Sequence, residues 1–138
     1  MVAAIEASLR KAGFKVTRDS VAGRQAVIGR RRRLFVLVGL FKAGMAGRDH
    51  LDRFVEEAAL YSSTVKGGLP SGVTAVAVAV LEGGGGTEGW AGATSQERRA
   101  TVFPVLVDVP AGRVACPPAP ADLHRLVQEH VVPSTQLV

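Results

Sequence analysis

Cysteine is nearly absent from this sequence, which holds one such residue among 138. A lone cysteine cannot form an internal disulfide, so the composition does not indicate a disulfide-stabilised secreted domain. Long hydrophobic runs are lacking too, because the longest, residues 34–41 and 73–81, fall far below the ~20 residues that a membrane-spanning helix needs. The amino terminus has charges where a signal peptide would have its apolar segment. These absences predict a cytoplasmic protein with no membrane partner.

Groupings of residues typical of catalysis or metal binding are also missing from the sequence. Cys116 has no histidine or other base in local register, and the three histidines do not have metal-ligand spacing. Gly84, Gly86 and Gly89 match the glycine pattern of dinucleotide-binding loops, but the residues after them lack the apolar stripe of the required helix. No lysine follows these glycines, which excludes a P-loop. The sequence therefore predicts no catalytic residue, no cofactor and no metal.

Residues 73–81 are the feature on which the fold prediction depends most. The odd-numbered positions carry mostly small side chains: Val73, Ala75, Ala77, Ala79 and Leu81. The even-numbered positions after Thr74 carry valines: Val76, Val78 and Val80. Because a strand sends alternate side chains to opposite faces, both faces of this segment are apolar. The pattern predicts a central strand that is covered on both faces, with room for a helix to lie close to the alanine face.

Apolar periodicity divides the rest of the chain into helices and strands. Helices are predicted at residues 2–12, 51–65 and 123–130. Strands are predicted at residues 14–17, 25–31, 34–41 and 101–109, with a turn at residues 19–23. Pro133 is expected to end the last helix, and Pro104 places the last strand at a sheet edge or bulge. The joint between the second and third strands stays open, with Gly29 starting a turn or Gly39 marking a bulge.

The resulting order, α-β-β-β-α-β-β-α, predicts a single α+β domain over residues 1–138. Its sheet is expected to be antiparallel or mixed, with about five strands and with helices packed on it. Residues 82–100 include four consecutive glycines and are interpreted as a mobile loop with one helical turn near residues 95–99. Residues 110–120 are interpreted as a loop, and residues 133–138 as a frayed tail.

The net charge of +5 is unevenly distributed along the chain. Residues 1–53 hold 12 of the 17 Lys and Arg but 4 of the 12 acidic residues, a balance of +8. A candidate phosphate-binding patch contains the arginine run and one further arginine: Arg24, Arg30, Arg31, Arg32 and Arg33. The alternatives are a solvated hairpin tip whose charges oppose aggregation, or arginine usage that reflects a GC-rich genome.

Aromatic residues, which stack on bases in many nucleic-acid modules, make up 5% of the chain. Four of the five phenylalanines fit core positions: Phe14, Phe35, Phe41 and Phe54. The charge pattern therefore favours a nucleic-acid partner, whereas the aromatic content does not.

Three resemblances to known families follow from the order of elements and from short motifs. The order resembles the type III secretion chaperone fold, which implies binding of another protein, often as a dimer. It also resembles the core of the PD-(D/E)xK nuclease-like fold, where Lys42 matches the family lysine but Leu40 stands at the position of an acid, which implies the fold without the nuclease chemistry. Residues 68–73 and 103–108 resemble a pattern of small uncharacterised prokaryotic proteins, which implies no activity.

The sequence alone favours a non-catalytic α+β domain that acts through protein–protein contact or as a homodimer. The first alternative is sequence-independent nucleic-acid binding through Arg30–Arg33. The second is a small-molecule or enzymatic site under the loop at residues 83–90, with Trp90 as a lid.

Overall fold

Seven strands form one mixed sheet in the computed structural model, which describes residues 2–41, 48–65, 73–82, 95–97, 100–110, 112–115 and 121–135. The helices are α1 (Val2–Lys11), α2 (Arg48–Val65), α3 (Ala121–Leu126) and α4 (Val132–Thr135), with a π-helical turn at Val127–Val131 between the last two. The strands are β1 (Lys15–Val21), β2 (Arg24–Arg31), β3 (Leu34–Phe41), β4 (Val73–Leu81), β5 (Ser95–Glu97), β6 (Ala100–Asp108) and β7 (Arg113–Ala115).

The sheet combines an antiparallel meander with a parallel centre. β1, β2 and β3 are antiparallel neighbours, whereas β4 lies between β3 and β6 and is parallel to both. The short strands β5 and β7 both pair with the outer side of β6. The predicted α+β class, the mixed sheet and the order of the main elements are confirmed. None of the described helices is long and apolar enough to cross a bilayer.

The predicted central strand is confirmed, because β4 has parallel neighbours on both sides and apolar layers on both faces. Its alanine face packs against α2, where small side chains let the helix approach: Leu51, Phe54, Val55, Ala58 and Ala59 form that layer. Its valine face packs against α1 and the C-terminal helical segment through Ile5, Leu9, Leu126, Val127 and Val131. The sheet therefore has a helical layer on each face.

Two tight turns set the register of the meander. Ala22 and Gly23 connect β1 to β2 with φ of 54° and 75°, the positive values that a type I′ hairpin turn requires. The predicted turn at residues 19–23 begins too early, since Asp19 and Ser20 belong to β1. Gly29 lies inside β2, and Gly39 pairs regularly with strands on both sides, so neither alternative for the second joint is correct.

Pro104 lies where β6 has a partner on one side only within the described chain. β5 pairs with residues 100–102 and β7 pairs with residues 106–108, which leaves residues 103–105 open on the outer side. The prediction of an edge strand is therefore correct at the proline but wrong for β6 as a whole. The helical turn predicted near residues 95–99 is also wrong, because Ser95–Glu97 form β5, and β7 lies in the predicted loop at residues 110–120.

The C-terminal helical segment continues through Pro133 to Thr135, although the sequence predicted that it ends at the proline. Pro133 is the second residue of α4 and has no backbone amide hydrogen to donate to the turn before it. The preceding turn has π spacing, in which the Val132 amide donates to the Val127 carbonyl five residues earlier. This wider turn leaves room for the proline ring. The predicted frayed tail can thus begin no earlier than residue 136, outside the described residues.

Candidate functional site

The arginine run lies at the turn between β2 and β3. Arg31 pairs with Leu34 as the last step of the ladder, which leaves Arg32 and Arg33 as a two-residue turn. Arg32 has a left-handed conformation with φ of 57°, which glycine adopts without steric cost but arginine does not. The Arg33 carbonyl accepts a hydrogen bond from the Thr74 amide at 2.9 Å, so the turn is attached to the start of β4.

Strand alternation sends Arg30 and Arg31 to opposite faces of the sheet. The Arg30 guanidinium lies 5.7 Å from the centre of the Phe35 ring, on the face that α2 covers. The Arg31 guanidinium lies 4.6 Å from the centre of the Phe14 ring and donates to the Ala12 carbonyl at 2.6 Å, on the α1 face. Arg31 thereby attaches the carboxyl end of α1 to the hairpin.

Arg24 lies at the opposite end of β2, roughly 20 Å from Arg30 along the strand. Its guanidinium lies 3.9 Å from the centre of the Phe41 ring, and its Nη1 donates to the Leu40 carbonyl at 3.4 Å. Its Nε is buried and has no hydrogen-bond partner within the described part of the chain, and burial lowers the pKa of Arg24. Arg24 therefore packs against the core and does not join the arginine run.

A groove opens beside the arginine turn, across the amino ends of the three parallel strands. Leu34, Thr74 and Thr101 lie side by side on β3, β4 and β6, because the register pairs each with the next. Phe103 lies two residues further along β6, on the same face as Thr101. These four residues form the floor of a cavity of about 760 Å³.

The walls of this groove come from the hairpin and from the C-terminal helical segment. Arg31, Arg32 and Arg33 form one wall, and Asp122 and Leu123 of α3 form the other. We call the space bounded by these floor and wall residues the arginine groove. A second cavity, of about 260 Å³, continues it between the hairpin and the helical segment and adds three charged or titratable residues: Arg125, Glu129 and His130. Leaving the histidine aside, four arginines and two carboxylates give the two cavities together a net charge of +2.

Arg32 and Arg33 have charges that no neighbouring side chain neutralises. Both are exposed, and neither forms an ion pair or a side-chain hydrogen bond with another residue in the described ranges. An ion pair elsewhere in the described ranges joins Arg18 of β1 to Glu6 of α1, where Arg18 Nη2 donates to Glu6 Oε1 at 2.6 Å and Arg18 Nε donates to Glu6 Oε2 at 3.0 Å. That hydrogen bond lowers the pKa of Glu6. The two turn arginines are therefore the best candidates for contact with an anionic ligand.

Phe103 is the groove residue that sequence reasoning missed. It lies on the same face of β6 as Val105 and Val107, which are 4% and 2% exposed, yet its own side chain is only partly buried. A further, small cavity of about 10 Å³ beside the ring is lined by Val114, Leu123 and Val127 and by the exposed His124 and Gln128. Strand alternation alone predicts a core position, and only the three-dimensional arrangement shows that the ring also borders the arginine groove.

The described residues lack a candidate metal centre. They contain no group of three or more His, Cys, Asp and Glu side chains that could hold a metal ion. Lys42 and the loop at residues 83–90, which carry two of the sequence-based alternatives, lie outside the described residues. Leu40 is partly buried at the end of β3, where the nuclease-like family has an acid.

No protein-family model, curated protein or solved structure matches this chain. The chaperone-like and nuclease-like resemblances therefore stay predictions, and the side chains of the chain itself are the guide to its function.

Proposed function

We propose that this domain binds nucleic acid through phosphate contacts in the arginine groove. The observation that carries the proposal is the pair of exposed, unneutralised side chains, Arg32 and Arg33, beside a cavity of about 760 Å³. A guanidinium presents its donors in a planar fork that matches two phosphate oxygens, and its charge persists at every physiological pH. Thr74 on the groove floor adds a hydroxyl group, which is a side-chain type that contacts phosphates and sugars.

The same geometry favours binding without sequence preference. The turn arginines extend from a two-residue hairpin turn, and none of the described residues that line the groove carries an amide side chain, the kind that reads adenine. Phosphate contacts fix position but carry no sequence information. The high sequence pI of about 10.1 supports attraction to a polyanion at a distance.

Protein–protein contact or self-association, favoured by the sequence alone, has weaker structural support. The described surface has one large hydrophobic side chain classed as exposed, Leu60 at 38%, and an obligate dimer interface needs a much larger apolar patch. β1 is an edge strand in the described sheet and could pair with another chain. Its outward residues include Lys15, Arg18 and Asp19, and charged side chains on an edge oppose such pairing.

Binding of a fluorescent mixed-sequence oligonucleotide, measured by anisotropy over a range of salt concentrations, tests the proposal. The Arg32→Gln/Arg33→Gln double variant should bind more weakly and should reduce the slope of log K against log [salt] by about 1.5, since each lost phosphate contact removes roughly 0.7–0.9. Arg53→Gln changes an exposed arginine of α2 on the other side of the sheet and serves as the matched control. Absence of binding at about 50 mM salt, or equal losses in Arg33→Gln and Arg53→Gln, would overturn the proposal.

A further inference from the structure

We infer that the arginine groove selects single-stranded nucleic acid and holds one unpaired base against the ring of Phe103. The inference rests on the proposed function and adds the class of ligand. It starts from an asymmetry: Phe103 is partly exposed in the groove, whereas the valines that follow it on the same face of β6 are buried. An aromatic ring that borders both a polar groove and a packed core is suited to stacking.

The ring is supported from behind. Val76 is its direct neighbour on β4, and Val105, Val114 and Val127 line a small cavity beside the ring, together with the exposed His124 and Gln128. A base that stacks on the groove side would therefore meet a ring that already has an apolar neighbour on the adjoining strand.

The distance between the arginine turn and the ring fits a single nucleotide. Neighbouring strands lie about 4.8 Å apart, so β3, which begins at the turn, and β6, which carries Phe103, are separated by roughly 10 Å. That separation is of the order of the span from the phosphate of one nucleotide to the far edge of its base. Thr74 and Thr101 lie between the two ends, where the sugar of a bound nucleotide would be.

Only an unpaired base can use this arrangement. In a duplex the bases are stacked and paired inside the helix, so their flat faces cannot reach a ring on the floor of a groove. A duplex can still contact Arg32 and Arg33 through its phosphates, but it gains nothing from Phe103. The groove should therefore bind a single strand more tightly than the same sequence in a duplex.

Substitution of Phe103 separates the stacking contribution from the phosphate contribution. Loss of stacking on one base corresponds to a roughly 5- to 150-fold weaker affinity. Phe103→Leu keeps an apolar side chain for the core and should show that loss for single-stranded DNA and single-stranded RNA. Phe103→Tyr keeps the ring and should bind like wild type, and circular dichroism of both variants checks that they are folded. Polyphosphate, which has no bases, should bind Phe103→Leu and wild type equally.

A spectroscopic variant gives a second, independent measurement. In a Trp90→Phe background, which removes the single native tryptophan, Phe103→Trp places the emission at the groove, and a stacked base should quench it. The inference is overturned if duplex and single strand bind equally, if Phe103→Leu binds single strands like wild type, or if the tryptophan is not quenched. Should these results accompany a loss of binding in Arg32→Gln/Arg33→Gln, the proposed phosphate contacts stand without the stacking. If no nucleic acid binds wild type, both proposals fail together.

Discussion

Replacing Gly39 by alanine tests how closely α2 packs on the sheet. Gly39 lies within β3 in regular register with Ala26 and Ala79 on the neighbouring strands. A β-carbon at this position would lie 2.9 Å from Cε1 and Cζ of the Phe54 ring, well inside the roughly 3.5–4.0 Å at which carbon atoms pack favourably. The Phe54 ring is fully buried, and its edge-on contact with Phe41 at a centroid distance of 5.5 Å restricts its movement.

Two opposing contributions decide the magnitude. Removing a glycine from a strand interior stabilises a protein by roughly 0.5–1 kcal/mol, because the unfolded chain loses conformational freedom. Forcing an extra carbon into a filled core costs about 1–3 kcal/mol. The second contribution is larger, so we expect Gly39→Ala to lower the free energy of unfolding by about 1–2 kcal/mol. Gly29→Ala, where the new atom would lie 3.3 Å from Leu9 Cδ1, needs a smaller adjustment and should stay within about 0.5 kcal/mol of wild type.

Urea denaturation measures the stability change in Gly39→Ala and in Gly29→Ala, as a shift in the midpoint concentration of urea while the dependence of the free energy of unfolding on urea stays the same. Phe54→Leu supplies the decisive comparison, because it removes the ring atoms that the new methyl group would meet. In that background Gly39→Ala should cost less than in wild type, and the difference is the interaction energy of a double-mutant cycle. The packing argument is refuted if Gly39→Ala is as stable as wild type, or if it costs the same in both backgrounds.

Two further predictions concern the turn and the ion pair. Arg32→Gly should raise the thermal midpoint, since it removes a left-handed arginine that costs about 1 kcal/mol, and it should weaken oligonucleotide binding. Arg33→Gly, the control, should weaken binding without raising the midpoint. A lower thermal midpoint for Arg32→Gly than for wild type contradicts the reasoning. Because the Arg18 hydrogen bond lowers the pKa of Glu6 below its ordinary value of 4.5, Glu6 stabilises the fold above that pH and loses this effect as the pH falls through its lowered pKa. Glu6→Gln should therefore flatten the acid side of the plot of urea midpoint against pH, and parallel curves for the two proteins would rule this out.

The sequence was most informative where a pattern repeats over many residues. Alternation of alanine and valine at residues 73–81 predicted both the central position of β4 and the close approach of a helix to its alanine face. Apolar spacing at residues 51–65 predicted α2 within a few residues of its observed bounds. In both elements burial of a long apolar surface outweighs local preferences, so the pattern reports the tertiary environment directly.

Short elements and single residues were not predictable from pattern alone. β5 and β7 have three residues each and depend on β6 for all of their described pairing, so no local pattern marks them. Pro133 remains inside a helical segment because the π turn before it changes the geometry that a proline normally disrupts. Phe103 has the alternation of a core residue, and only the position of α3 leaves one side of its ring accessible.

Alternation also limits what the arginine run can contribute. A run of four arginines at a hairpin places at most three on one side of the sheet, since Arg30 points to the α2 face, and Arg31 already binds the end of α1. The two phosphate contacts that remain, from Arg32 and Arg33, correspond to a salt slope of roughly 1.5–2, which supports only modest affinity at physiological salt. Useful affinity from this groove then needs a contribution that salt does not weaken, and the ring of Phe103 is the described group placed to supply it. A wild-type slope well above roughly 2 would instead mean that cations outside the turn, such as Arg125, contact the ligand.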